Sequence, residues 1–114
     1  MCIQYMVKQI SLDAWQIQHL TELLRKASLV VAKTNSPIIL YRQTLEEEGE
    51  SYEEIVCTLT QDHIIEQLVT SGGVLPPTFH EQFVFSIDEY PEKLIRKSRD
   101  RFLQIVSLLE NQLK

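Results

Sequence analysis

Residues 36–60, SPIILYRQTLEEEGESYEEIVCTLT, constrain the fold more than any other stretch. Two β-prone runs, Pro37 to Leu45 and Tyr52 to Leu59, flank an acidic tip that contains Gly49. Read as strands, they form a β-hairpin. Ile55, Cys57 and Leu59 then fall on one face of the second strand and Val56 on the other. Read as helices, Ser36 caps a helix with Pro37 at its first position, Gly49 stops it, and Ser51 with Glu54 forms a capping box for the next. The hairpin makes the chain α+β, and this is the reading carried forward. The helical reading makes it an all-α domain.

The rest of the chain supplies the partners for such a hairpin. In CIQYMVKQI, residues 2–10, Ile3, Tyr5 and Val7 alternate with Gln4, Met6 and Lys8, which predicts a half-buried strand. Ser11 then serves as a cap, and Ile17, Leu20, Leu24, Ala27 and Val31 recur at helical spacing from Leu12 to about Lys33. Trp15 reads first as an anchor of the core and second as a partner-facing contact. Thr34-Asn35-Ser36-Pro37 breaks the helix. From Thr60, Ile64, Ile65, Leu68 and Val69 predict a short helix that Gly72-Gly73 stops. A connector with Pro76-Pro77 follows, then a short strand over Phe83 to Ile87. A last helix runs from Pro91 to about Leu113, aligning Leu94, Ser98, Phe102, Ile105, Leu109 and Leu113. The expected order is therefore β-α-β-β-α-β, a small sheet packed on a long first helix, with a long C-terminal helix added. The 114 residues suit one domain, with a possible division into 1–71 and 78–114 at the connector.

Composition excludes some classes of function. Apolar residues make up 44% and charged residues 24%, so the chain can bury a core. A formal net charge of -5 argues against broad adhesion to nucleic acid or anionic lipid. No apolar run approaches the roughly 20 residues of a membrane span. Two cysteines and no secretory signal predict a soluble, reducing, cytoplasmic setting. Cys57 reads as a small buried hydrophobe, with a Cys2–Cys57 bridge as the lesser reading.

Met6 to Trp15, MVKQISLDAW, followed by a helix and then SPIILYR at Ser36 to Arg42, resembles the Phd/YefM type of antitoxin. Ser11 matches that family's capping position, and Pro37, Ile38, Ile39 and Arg42 match its hairpin strand. The likeness spans about residues 6–69. It implies a dimer that binds DNA through its N-terminal half, with a C-terminal segment wrapped around a toxin. The first helix is longer than that pattern, and a Glu run stands where a short glycine turn is usual. Ferredoxin-like folds share the expected element order and imply no function. GESYEEIVCTL also resembles the first helix of a helix-turn-helix. The segment after it carries Asp62 and Glu66 and no Lys or Arg, which suits a phosphate-lined groove poorly.

Candidate chemistry is sparse. His63 and Glu66, three apart on the expected helix, could join His80 as nitrogen and oxygen ligands of a metal or serve a small ligand-binding domain or minor enzyme. Cys57 and His63 form the one sequence-near nucleophile–base pair, but burial would leave the thiol inert. Three glycines leave no phosphate-binding loop, and no cofactor is expected. Glu46, Glu47, Glu48, Glu50, Glu53 and Glu54 read as a solvated face. Lys93, Arg96, Lys97, Arg99 and Arg101 form a basic cluster that could meet phosphates or the acidic tip of a second copy. With no reading motif, nucleic acid is not the default. Phe102 and Leu109 lie on a wide apolar stripe of the same helix, which predicts a homodimer there. The expectation is a small regulatory or protein-interaction protein without enzymatic activity.

Overall fold

The structure is a computed structural model that describes residues 3–49, 51–72 and 78–114. Its elements in order are α1 (Ile3–Thr34), β1 (Ile38–Glu48), β2 (Ser51–Leu59), β3 (His63–Ser71), β4 (Thr78–Ser86), α2 (Tyr90–Lys97) and α3 (Arg99–Gln112). The chain divides into two compact units. A helical unit comprises Met1–Ala27 with Ile87–Lys114, and a sheet unit comprises Ser28–Ser86. The divisions fall inside α1 and after β4. Among the described residues, no helix is long and apolar enough to cross a membrane.

The α+β class holds, but the element order differs from the expected β-α-β-β-α-β. Residues 3–10 are helical, not a strand. Ile3, Val7, Ile10, Ala14 and Ile17 repeat at three- and four-residue steps that run straight into Leu20 and Leu24, so the helical period outlasts the brief alternation. Ser11 lies within α1 and not at its start. The far end behaves as expected. Lys33 lies in the last turn, Asn35 takes the left-handed conformation at φ 56, and Pro37 prevents continuation.

The hairpin is present. Glu48 pairs with Ser51 across a two-residue tip, with Gly49 at φ 60, a conformation that a side chain would strain. Two register shifts, one between Ile39 and Tyr41 and one between Thr44 and Glu46, leave Leu40 and Leu45 as extra residues of β1. Leu40 is buried and Leu45 is half exposed.

The expected helix after Thr60 is instead strand β3. Thr60 accounts for the reversal. Its N–H donates to the His63 carbonyl at 2.8 Å and its hydroxyl donates to the same oxygen at 2.9 Å. The His63 N–H lies 3.2 Å from the Thr60 Oγ1. This clasp turns the chain back on β2, so that Leu59 faces Ile64 and both are fully buried. Ser28 near the end of α1 donates its hydroxyl to the Gln61 carbonyl in the same turn. Ile64 and Leu68 share one face of β3, and Ile65 and Val69 the other. The apolar doublets that mimic a helical stripe are the two faces of a strand buried in part on both sides. Strand β4 extends the strand expected at Phe83 back to Thr78 and completes a four-stranded antiparallel sheet in the order β1-β2-β3-β4. By the same register, the two elements that the antitoxin resemblance implies at residues 6–10 and after Gln61 have exchanged type.

The C-terminal helix is two helices. Ser98 is extended, at φ -158 and ψ 104. Its N–H closes α2 on the Leu94 carbonyl at 2.8 Å, and its side chain accepts from the Arg101 N–H at 3.1 Å to open α3. Arg96 and Lys97 end α2 and Asp100 begins α3, each placed where the helix dipole favours its charge. The core of the helical unit is Leu20, Leu23, Leu24 and Ala27 of α1, Tyr90, Leu94 and Ile95 of α2, and Phe102, Ile105 and Leu109 of α3. In the sheet unit Val31, Leu40, Val56, Cys57, Leu59, Ile64 and Val69 are buried. Cys57 is fully buried, as expected, and Cys2 lies outside the described residues.

Replacing Ser98 tests the helix break. Ser98→Ala should lower stability by about 1 kcal/mol through loss of the cap, and Ser98→Asp should retain most of it, both read by urea titration.

Candidate functional site

The residues singled out as metal ligands are not brought together. On strand β3, His63 and Glu66 differ by an odd number of positions and face opposite sides of the sheet. The helical spacing that would have joined them does not exist. His63 pairs with Ser86, six positions along β4 from His80. At about 3.3 Å per residue, roughly 20 Å of strand separates their backbones. Among the described residues there is no group of three or more His, Cys, Asp or Glu side chains placed to hold a metal ion.

The basic cluster is divided by the break at Ser98 and is engaged locally. Arg96 reaches Glu92 at 2.8 Å and Lys93 lies 3.8 Å from Glu89, both one helical turn away. Arg99 holds the Asp13 carboxylate with two bonds, at 3.0 and 3.1 Å, and reaches Gln16 at 3.4 Å. The hydrogen bond to Asp13, aided by that carboxylate's charge and opposed by desolvation, raises the Arg99 guanidinium above its ordinary range. Arg25 meets Asp88 at 2.5 Å. These contacts tie α1 to the C-terminal segment of the helical unit. Lys97 and Arg101 also have interactions of their own.

Phe102 and Leu109 do not lie on an open surface. Both are fully buried within a single chain. The stripe that seemed too wide for one helix is consumed by the core of the helical unit, because the turn at Ser98 lets α2 and α3 each present an apolar face. The acidic tip is likewise not uniformly solvated. Glu54 is buried, and Arg42 of the neighbouring strand reaches its Oε1 at 2.9 Å. The Arg42 side chain itself remains 54% exposed, so the pair is anchored at the carboxylate and open at the guanidinium.

The exposed feature that sequence reasoning misplaced is Trp15. It is 63% exposed and is not part of the buried core. At 100° per residue it stands about half a turn from Leu24, on the side of α1 away from the buried stripe. Trp15 stacks on His19 one turn later, with ring centroids 5.5 Å apart and planes 12° from parallel. The Nε2 of His19 lies 3.1 Å from the Glu110 Oε1 on α3, so the lower ring is fixed from the opposite side. Two hollows adjoin this pair. One, of about 140 Å³, is lined by Trp15 and His19 together with Phe102, Leu103, Val106 and Glu110. The other, of about 400 Å³, is lined by Trp15, Gln18, His19 and Glu22. Leu12, 50% exposed, and Leu103, 44% exposed, extend the apolar surface. The i, i+4 spacing of Trp15 and His19 is readable in the sequence. The contact with Glu110, 91 positions away, is not.

Two substitutions check these assignments. Arg42→Met should destabilise by about 1–3 kcal/mol because it strands a buried carboxylate, and adding Glu54→Met should recover most of that loss; urea titration of the three variants measures both. Phe102→Ala should lower stability by about 3–5 kcal/mol as a core truncation, with no change in the mass of the folded fraction by sedimentation.

No protein-family model, curated protein or solved structure matches this chain.

Proposed function

We propose that this chain is a small regulatory protein that acts by binding another protein, and that the Trp15 face of the helical unit is its contact. The single observation that carries this reading is the exposure of Trp15 on a rigid support. A tryptophan is the largest apolar side chain a protein can leave in water, and covering one supplies more binding free energy than covering almost any other residue. Here the ring is held by His19, and His19 by Glu110, so little side-chain freedom remains to be lost on binding.

The surroundings favour a basic partner. Glu22 and Glu110 border the two hollows beside the ring. A lysine or arginine laid over the indole would gain from its π face and from both carboxylates. The net charge of -5 would steer such a surface toward this chain. Two cysteines make no disulfide framework, which suits a reducing compartment, and we place the protein in the cytoplasm.

Site-specific photo-crosslinking in the native cells tests the proposal. A photoreactive phenylalanine analogue at Trp15 should capture one discrete protein. The same group at Leu29, which is also exposed but lies in the sheet unit, should not. Trp15→Ala should then weaken binding to the captured protein by about 2 kcal/mol or more, roughly 30-fold in Kd. No capture at position 15, or capture equal to that at position 29, overturns the assignment.

A further inference from the structure

We propose that two copies of the chain pair through the outer edge of β4, antiparallel and in register about Val84, to make one continuous sheet. This goes beyond the Trp15 contact and does not depend on it.

The two edges of the sheet are built differently. Strand β1 carries two register shifts and ends in Glu46, Glu47 and Glu48. Bulges and edge charges are the features that stop a strand from recruiting another. Among the described residues, strand β4 has a strand neighbour, β3, on one side only. Its single irregularity lies toward its start, opposite Leu68 and Val69. From there Gln82, Phe83, Val84, Phe85 and Ser86 run in unbroken register against Gln67 to His63. The five contain no charge, proline or glycine. Phe83 is 56% and Val84 51% exposed, on opposite faces, so the edge is apolar on both sides.

Charge and symmetry select the occupant. With a net charge of -5, a second copy is repelled wherever acidic surface would meet itself. The Gln82–Ser86 segment avoids that. A two-fold axis at Val84 sets Gln82 opposite Ser86, Phe83 opposite Phe85, and Val84 opposite its own counterpart. Both Phe83–Phe85 pairs then lie on one face and the valine pair on the other, all at cross-strand contact distance. The segment is thus its own complement, which is the requirement of an isologous interface. The homodimer expected from the C-terminal stripe is thereby moved to the sheet edge, since Phe102 and Leu109 are spent on the core.

Sedimentation of the whole chain at high micromolar concentration tests this together with crosslinking. The wild type should sediment as a dimer. Val84→Lys, which sets two like charges on the axis, should be a folded monomer, and Trp15→Ala should remain a dimer. In a Cys2→Ser background, Val84→Cys should be joined into a covalent dimer by a short bis-maleimide, and Ile39→Cys on the opposite edge should not. A monomeric wild type overturns the proposal, including the case in which β4 instead accepts an extended peptide from another protein. A folded Val84→Lys dimer, or loss of the dimer in Trp15→Ala, also overturns it by placing the seam elsewhere. Should Val84→Lys fail to fold, the Val84→Cys crosslink decides: a covalent dimer supports the pairing and its absence overturns it.

Discussion

Thr60 binds the His63 carbonyl with both its N–H and its hydroxyl, and the sheet depends on that turn. Once the chain reverses there, Ile64 must lie against Leu59, and each buries the other. Leu68 falls opposite Ile55 on the face of Ile64, while Ile65 falls opposite Thr58 and Val69 opposite Glu54 on the other, so both faces of β3 carry apolar side chains. Strand β4 adds by the same antiparallel ladder. The same turn separates His63 from Glu66, because a strand sends to opposite faces the side chains that a helix would have aligned. One local hydrogen-bonding residue thus decides both an element and a candidate site.

The helical unit depends on a comparable local device. Ser98 ends one helix with its backbone and starts the next with its side chain. A continuous helix over residues 91–113 would carry more apolar surface than one partner helix can cover. Broken at Ser98, it places Leu94 and Ile95 on one short helix and Phe102, Ile105 and Leu109 on another, and all five are buried. Arg99 and Arg25 fasten the exposed rim of the same unit to Asp13 and Asp88. Half-exposed pairs such as these contribute little free energy each and serve mainly to orient. Burial of the leucines and Phe102 supplies the affinity between the helices.

Against that background the apolar side chains left in water stand out. Trp15 stacks on His19, whose Nε2 meets Glu110, although it is not part of the buried core, and the Phe83–Val84 edge lacks the blunting that β1 displays. Both are places where folding has left apolar area exposed, and a different partner is proposed for each: a basic surface for the indole between carboxylates, and an identical uncharged strand for the edge. The two surfaces belong to different units of the chain.

Local chemistry alone determined a good part of this protein. The α+β class, the hairpin about Gly49, the end of α1 at Asn35–Pro37 and the burial of Leu20, Leu24, Ala27 and Val31 all follow from spacing and turn residues that act within a few positions. Other features did not. Residues 3–10 satisfy a two-residue period briefly and a helical one for longer, and the long helix they join decided between them. The doublets Ile64-Ile65 and Leu68-Val69 fit a helical stripe and a doubly covered strand equally, and pairing with β2 chose the strand. Trp15 looked like a core residue by type, but its angle around α1 put it outside. The pairs His19–Glu110 and Arg99–Asp13 carry no sequence signal, because long-range contacts depend on where whole elements come to rest, and that is set by the sum of burial over the unit and by no residue within reach of either partner.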